Sequence, residues 1–386
     1  MHPNISVPSW SLSEAKWAFF WCLSLLLTSL SIVSFPHNIH NWFAISAVLV
    51  TSCGAFYTGG HIIPDAVFVD YYLRFIIILA SHMTWLLYSG TLNLSVPRRS
   101  GEKNRWTRGY KILFNPRGIG QDWELPHLWP STHSTFQSQK GKASTTQNLT
   151  RDKDAGNQCK SSALLTPLGH ALLNFTILCV YYEFISLPSS PFLHRPLLAL
   201  SNFAPDYLIL STYHSLFAFL FILLSLDMPN EWPALFGPIS AAYTVRGFWG
   251  KFWHRLIYRS FIGHAGVLMR AVGINQRSTI GRLLSNVLVF VLSGLMHGAV
   301  PWMLGTKCAW RAGMEYWMMQ PIAFVLEGGV AWCWGRARRL KLDWASTDML
   351  TAFEKAVGYA WVLGWLVWEA PRREGAVLRC YGVQQD

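Results

Sequence analysis

Charged residues are scarce in this 386-residue chain, at 13%, whereas soluble domains carry about 25%. Hydrophobic residues make up 52% and aromatic residues 15%. A soluble fold would expose much of this apolar surface to water, so the composition excludes an ordinary soluble protein. We expect the apolar side chains to face lipid, in one membrane-embedded protein rather than two or three soluble domains.

The chain also lacks the cysteine patterns of a disulfide framework or a zinc site. It has seven cysteines, an odd number, and no CxxC pair. No cluster of ligands with metal-binding spacing is visible, so we expect no metal site. The start lacks the basic region of a cleaved signal peptide, so we expect its first apolar run to be a retained helix.

Eight apolar runs approach the length of about 20 residues that a helix needs to cross a bilayer. The third contains Arg74 and the last is short, which makes these two the weakest. The runs are Trp17–Phe35, Trp42–Gly60, Tyr71–Tyr88, Leu164–Leu187, Tyr207–Leu226, Thr279–Leu304, Trp310–Trp334 and Ala352–Trp368. They predict an all-α fold, a polytopic transmembrane helical bundle with about eight spans.

The formal net charge is +12, and the basic residues lie in loops between the apolar runs. This is the distribution of the positive-inside rule, and it gives no reason to expect nucleic-acid binding. We therefore expect the loops Leu92–Ala163 and Asp227–Arg277 to be cytosolic and the amino terminus lumenal. Arg372 and Arg373 oppose this topology, which leaves two alternatives: the last helix does not cross, or the span count is off by one.

A histidine lies deep in the sixth apolar run, which reads VFVLSGLMHG over residues 289–298. An imidazole there is costly unless it faces the protein interior or a water-filled cavity, and it could take a proton from a hydroxyl. His297 could equally be a packing residue that is hydrogen-bonded to a neighbouring helix. Gly294 and Gly298 form a GxxxG pair, which indicates close helix packing.

A second unusual stretch, FWGKFWHR at residues 248–255, interleaves aromatic rings with basic residues and a histidine. Tryptophan and basic residues of this kind are common where a protein meets lipid headgroups. They would also suit a ligand with phosphates and an apolar tail, such as acyl-CoA. The residues alone leave both alternatives open.

Together, FWGKFWHR and VFVLSGLMHG resemble the wax-synthase-like branch of the membrane-bound O-acyltransferases (MBOAT). EWPALFG at residues 231–237 and NPRGIG at residues 115–120 are also similar to that branch. The ending WHR and the motif RGIG resemble its fungal members, which acylate terpenoid and meroterpenoid alcohols. Many members carry an acidic or amide residue where this chain has Gly247, so a role for that position is not expected here.

The resemblance implies that His297 is the catalytic base and that His254 is a second catalytic residue. It implies acyl-CoA, most simply acetyl-CoA, as cosubstrate and no permanently bound cofactor or metal. The acyl-CoA ligands would be Phe248, Trp249, Lys251, Trp253 and Arg255.

We expect three segments: amino-terminal transmembrane helices over 1–90, a cytosolic basic loop over 91–163 and a catalytic membrane-bound acyltransferase core over 164–386. Within the loop, Ser131–Ser162 is polar without apolar periodicity, which predicts a disordered insertion. The expected location is the endoplasmic reticulum membrane, as a multi-pass protein that also contacts lipid.

The resemblance implies transfer of an acyl group, with acetyl favoured, to a terpenoid or meroterpenoid hydroxyl in secondary metabolism. A long-chain wax ester or sterol ester synthase is the alternative enzyme. A lipid transporter or scramblase would also have many spans and an intramembrane histidine, although we find no inverted repeat. His61 and Asp65 spell HxxxD, a motif of soluble acyltransferases, but it lies between two apolar runs, and a helix end there is the favoured interpretation for Asp65 and Asp70.

Overall fold

The computed structural model describes residues 11–35, 41–92, 105–121, 123–125, 153–184, 191–305, 308–338 and 347–380. Within these ranges the regular structure is helical and no strand occurs. The helices are α1 (Leu12–Ser34), α2 (Asn41–Thr58), α3 (Ala66–Tyr88), α4 (Arg105–Leu113), α5 (Lys153–Phe184), α6 (Pro191–Leu223), α7 (Tyr258–Ala271), α8 (Thr279–Met303), α9 (Ala309–Arg338) and α10 (Thr347–Cys380). The prediction of an all-α membrane protein is confirmed.

Six helical segments of the described chain are long and apolar enough to cross a bilayer. They are Leu12–Ser34, Asn41–His61, Ala66–Tyr88, Leu164–Phe184, His194–Leu223 and Thr279–Met303. The two other predicted spans lie in α9 and α10, which are long helices with more charged residues. The chain is therefore a multi-pass membrane protein, roughly consistent with the predicted count of about eight.

Two helices begin more than ten residues before the predicted spans. Helix α6 starts at Pro191, well before the predicted Tyr207, and it continues through Pro196 and Pro205. Helix α5 starts at Lys153, so the last residues of the predicted disordered insertion are helical. The earlier part of that insertion, residues 131–152, lies outside the described residues.

The chain divides into two compact units, of which the first comprises residues 1–117, 255–351 and 371–386. In this unit α3 packs on α8 through Val69, Leu73, Val300 and Leu304. A neighbouring cluster joins α7 to α8 through Phe261, Val289 and Met296. These two clusters hold the middle of α3 against the half of α8 that carries His297.

The second unit comprises residues 118–254 and 352–370. Helices α5 and α6 pack side by side, and Leu198 and Ala199 of α6 form a small core with Ala370 of α10. The hydroxyl of Tyr359 in α10 donates to the carbonyl of Ile239 at 3.2 Å. Helix α10 thereby supports the loop that leads into FWGKFWH.

The cysteines of the described chain include free thiols and one that is disulfide-bonded. Cys22, Cys53, Cys179 and Cys333 are free thiols. Cys308, just before α9, is disulfide-bonded. The odd cysteine count and the absence of CxxC thus did not exclude an individual disulfide bond.

Candidate active site

His297 lies near the carboxyl end of α8, a helix that begins with a side-chain cap. The Ser278 hydroxyl accepts a hydrogen bond from the Gly281 amide at 2.9 Å. From Thr279, the first residue of α8, to His297 is 18 residues, or roughly 27 Å at the helical rise of about 1.5 Å per residue. The side chain is half-buried between the buried residues Met296 and Gly298. Six residues, or roughly 9 Å, separate it from the end of α8 at Met303, and its partial burial agrees with an internal site.

The two glycines next to His297 allow α9 to approach α8 closely. A Cβ atom at Gly298 would lie 2.5 Å from the Trp310 ring, and one at Gly294 would lie 3.2 Å from the Cβ of Trp317. Because this approach is possible, the buried indole of Trp317 stacks on the His297 imidazole, with ring centroids 4.5 Å apart. The GxxxG pair thus serves helix packing, and that packing positions the histidine.

The His297 ring also contacts a cation of α3. Nη1 of Arg74 lies 3.1 Å from His297 Nδ1. Nη2 of Arg74 lies 2.7 Å from an Asp70 carboxylate oxygen, one helical turn earlier. The expectation that Asp70 marks a helix end is wrong, because Asp70 lies inside α3 and forms an ion pair there.

FWGKFWH begins with a capped turn in the second unit. The Gly247 amide donates to the Thr244 hydroxyl at 2.8 Å, and the residues Phe248–Phe252 then form one turn of π-helix. Such turns are rare and often occur at functional sites. The turn ends at Trp253, whose backbone is extended.

The three aromatic rings predicted as acyl-CoA ligands pack against one another. Phe248 and Trp253 stack with centroids 5.6 Å apart, and Trp249 meets Phe248 edge-on at 5.0 Å. Phe248 and Trp253 are buried, Trp249 is half-buried, and Lys251 is exposed. The structure therefore brings these aromatic residues together as a cluster, with Lys251 on the exposed side of the turn.

Two glycines fix the path of the chain around this aromatic cluster. The Gly237 amide donates to the Phe252 carbonyl at 2.8 Å, so EWPALFG lies directly on FWGKF. A Cβ at Gly247 would lie 2.3 Å from the Ala241 carbonyl oxygen. An acidic or amide side chain would not fit at position 247 without a backbone shift, which explains this departure from the family pattern.

His254, the second predicted catalytic residue, follows Trp253, the residue after the π-turn. Its ring lies 5.6 Å from the Trp253 ring and 5.9 Å from the Phe236 ring, centroid to centroid. The side chain is half-buried. His254 is thus held against the aromatic cluster of the second unit, whereas His297 belongs to the first unit.

Arg255 is joined in the first unit by a second arginine that the sequence reasoning did not select. The Arg255 guanidinium lies 4.4 Å from the Tyr258 ring centroid, and the Arg259 guanidinium lies 5.3 Å from that of Trp85. Burial lowers the pKa of both guanidinium groups below the ordinary value, although both remain cations. The two cations lie four residues apart at the start of α7, where the helix dipole also favours an anion.

His264 of α7 forms a polar contact with α3. The Tyr88 hydroxyl donates to His264 Nδ1 at 3.0 Å, and Nε2 of His264 donates to the Ser81 carbonyl at 3.2 Å. These bonds hold the neutral imidazole, and burial lowers the pKa of His264 below its ordinary value. The contact fixes α7, and with it Arg259, against α3.

The HxxxD motif has a structural explanation. Asp65 caps α3 by accepting the Phe68 amide at 2.7 Å, and His61 Nδ1 lies 3.4 Å from a Glu14 carboxylate oxygen. The favoured interpretation of Asp65 as a helix end is therefore confirmed. In the part of the chain that the structure describes, no group of three or more His, Cys, Asp or Glu side chains could hold a metal ion.

Sequence reasoning missed three residues of this region: Arg74, Trp317 and Arg259. A signal was present for Arg74, because Asp70 and Arg74 have the i, i+4 spacing of a helical ion pair within an apolar run. The spacing of Arg255 and Arg259 is equally regular. Trp317 has no comparable signal, since the sequence is rich in tryptophan at other positions.

Comparison with known proteins agrees with these features. Residues 232–325, which include both FWGKFWH and His297, match the model of the "Membrane bound O-acyl transferase family". The resemblance stated from the motifs is thereby confirmed.

Several curated proteins are similar to this chain. Acetyltransferase atnC of Arthrinium sp is 30% identical over 49% of this chain and 43% of its own length. Acetyltransferase ataH of Aspergillus terreus is 33% identical over 38% of this chain and 47% of its own length. Acetyltransferase sirH of Emericella nidulans is 26% identical over 73% of this chain and 61% of its own length. The chain thus spans between about a quarter and two thirds of the length of the curated relatives it matches.

Proposed function

We propose that this chain, whose residues 232–325 match the model of the membrane bound O-acyl transferase family, transfers an acyl group from acyl-CoA to an alcohol. The observation that carries the proposal is the His297 imidazole, which lies on an apolar helix within the matched region and is held in place by Trp317 and Arg74. The favoured acyl group is acetyl, because the similar curated proteins described above are acetyltransferases.

In the proposed reaction, the hydroxyl oxygen of the acceptor attacks the thioester carbonyl carbon while its proton passes to His297. The tetrahedral intermediate collapses, the carbon–sulfur bond breaks, and the proton leaves with the CoA thiolate. General base catalysis of this kind contributes roughly 100- to 10,000-fold to the rate. For His254, a role in the same reaction rests on the resemblance of FWGKFWH alone.

The donor would be recognised by cations and aromatic surface. Arg255 and Arg259 offer two half-buried guanidinium groups at the start of α7, which suits phosphate oxygens. Lys251 offers an exposed ammonium next to the aromatic cluster. In the second unit, Phe248, Trp249 and Trp253 offer the apolar surface for the pantetheine arm.

The proposed acceptor is an apolar terpenoid or meroterpenoid alcohol of secondary metabolism, in the endoplasmic reticulum membrane. An apolar acceptor can reach a deep site through the lipid, whereas acyl-CoA must enter from water. His297 lies roughly 27 Å from the start of α8, at about 1.5 Å per residue, and that start is the end expected to face the cytosol. This distance supports separate routes for the two substrates.

The test is an activity panel on purified protein in lipid nanodiscs. Acyl-CoA donors from acetyl to palmitoyl are paired with terpenoid, sterol and long-chain alcohols, and both released CoA thiol and ester are measured. We expect the fastest turnover with acetyl-CoA and a terpenoid alcohol. A preference for long-chain donors would instead identify a wax or sterol ester synthase. Absence of thiol release with every pair would refute the acyltransferase function and favour a transporter.

A further inference from the structure

The contact between Arg74 and His297 determines where the imidazole proton lies. A guanidinium has only donors, so Arg74 Nη1, at 3.1 Å from His297 Nδ1, must donate to that nitrogen. Nδ1 is therefore the hydrogen-bond acceptor of the neutral ring, and Nε2 carries the proton. The histidine is held in one tautomer.

In this tautomer neither ring nitrogen can accept a proton from the acceptor alcohol. The lone pair of Nδ1 is shared with Arg74, and Nε2 already carries hydrogen. Proton transfer to either nitrogen requires Nη1 of Arg74 to leave Nδ1. If His297 is the base, movement of Arg74 is therefore part of the catalytic cycle.

Asp70 allows Arg74 to move without losing its charge partner. The Asp70 carboxylate binds Nη2 of Arg74, at 3.0 Å and 2.7 Å from its two oxygens, whereas the contact with His297 is made by Nη1. A small rotation of the guanidinium can therefore break the contact with the histidine and keep the ion pair. The Arg74 side chain is only 16% exposed and the Asp70 side chain 22%. Ionised residues within a membrane span are costly and are commonly functional.

We propose that Arg74 is a catalytic donor in the reaction proposed above, on which this inference rests. As the alcohol oxygen attacks the thioester carbon, the carbonyl π electrons move to the carbonyl oxygen, and Nη1 of Arg74 donates to that oxyanion instead of to Nδ1. The alcohol proton passes to the released imidazole. When the carbon–sulfur bond breaks, the carbonyl re-forms, the proton goes to the CoA thiolate and Arg74 returns to His297.

Such a donor acts mainly in the transition state, because negative charge on the carbonyl oxygen exists only there. Loss of one oxyanion donor costs roughly 100- to 1,000-fold in kcat in well-studied enzymes. The KM for acyl-CoA should change little, since the hydrogen bond from Arg74 is weak in the ground state. A purely structural ion pair predicts a different pattern, in which loss of one charge is harmful and loss of both restores the protein.

The experiment compares Arg74→Gln with the double variant Asp70→Asn, Arg74→Gln, which removes both charges from α3. The matched control is Arg311→Gln, which breaks an i, i+4 ion pair that is exposed on α9. Folded abundance, kcat and KM are measured in nanodiscs. We expect the double variant to fold at wild-type abundance with kcat lowered roughly 100- to 1,000-fold, and the control to stay within about twofold.

Arg74→Lys provides a second test that does not depend on folding of a neutral variant. Lysine keeps the charge beside Asp70 but lacks the planar fork that can hold a carboxylate and an oxyanion together. We expect its kcat to fall by at least about tenfold with KM unchanged. Wild-type kcat in Arg74→Lys, or recovery of kcat to within about threefold of wild type in the double variant, would overturn the inference while leaving the acyltransferase function intact. Absence of acyl transfer by the wild type would instead refute the proposed function itself.

Discussion

The indole of Trp317 lies nearly parallel to the imidazole of His297, with an angle of 22° and centroids 4.5 Å apart. The stack forms because Gly294 and Gly298 let α9 come close to α8. Arg74 approaches the same imidazole from α3, at its Nδ1 atom. Three helices thus fix the position and orientation of one imidazole, which is the kind of preorganisation that a catalytic base requires.

Trp317→Ala should lower kcat by roughly 100-fold, because a base displaced by about 1 Å loses its alignment with the acceptor. Trp317→Phe keeps a flat ring for stacking and should retain most of the activity. Trp302→Ala is the control, since Trp302 is a tryptophan of α8 that is 52% exposed. Steady-state kinetics at equal folded abundance check the prediction. Equal activity of Trp317→Ala and Trp302→Ala would contradict a positioning role for the stack.

Gly247→Ala should destabilise the second unit, because its new Cβ would lie 2.3 Å from the Ala241 carbonyl oxygen, which belongs to the backbone. Overpacking of this kind costs about 1–3 kcal/mol. Gly250→Ala is the control, since a Cβ there meets nothing within 4 Å. Thermal unfolding in detergent should show a lower midpoint for Gly247→Ala than for Gly250→Ala. Equal midpoints would contradict the prediction, because they would mean that the backbone at Ala241 can shift to make room for the new methyl group.

Replacing Lys251, Arg255 or Arg259 by alanine should raise the KM for acyl-CoA by roughly tenfold, with a smaller effect on kcat. The reason is that a hydrogen bond to a charged group contributes about 1.5–3 kcal/mol. Acyl-pantetheine, which lacks the nucleotide phosphates, should serve variants and wild type equally well. Arg282→Ala, at an exposed position of α8, is the control. An unchanged acyl-CoA KM in all three alanine variants would assign these cations to lipid headgroups instead.

Stability should fall in acid partly through His264. Burial lowers the pKa of His264 in the folded protein, so the unfolded chain binds the proton more readily, with an ordinary pKa of about 6.5. The stability that the neutral ring contributes is therefore present above about pH 6.5 and is lost as the pH falls below it.

His264→Gln keeps an amide donor and acceptor for Ser81 and Tyr88 but does not titrate in this range. Thermal unfolding of wild type and variant from pH 7.5 to 5 should show a smaller loss of stability in the variant. His170→Gln, at an exposed position of α5, is the control and should follow the wild type. An identical pH dependence in wild type and His264→Gln would show that protonation of this contact does not limit stability.

Hydrophobic runs predicted most of the helices, because about 20 apolar residues have few alternatives to a membrane helix. The amino-terminal start of α6 was not predicted, since Pro196 and Pro205 interrupt the pattern that signals a helix. Neighbouring elements in a membrane protein can satisfy the backbone groups that a proline leaves open. That compensation is tertiary and leaves no local trace in the sequence.

The candidate site was predicted only where its residues are close along the chain. FWGKFWHR and the VFVLSGLMHG segment are local patterns, and both were found from the sequence. The partner of His297 was not found, because Arg74 is 223 positions away and counted only against the third span. An arginine in an apolar run indicates a polar or charged partner nearby. The i, i+4 spacing identifies Asp70 as one partner of Arg74, but it does not identify His297.

The central claim is that His297 is the catalytic base, and His297→Ala tests it most directly. The variant is expressed with the wild type, brought to equal folded abundance in the membrane, and assayed for ester formation with the best donor and acceptor from the activity panel. We expect the rate to fall roughly 100- to 10,000-fold, as for loss of a general base. A rate within about threefold of wild type would show that His297 only packs α8 against α3 and α9, and would contradict the mechanism.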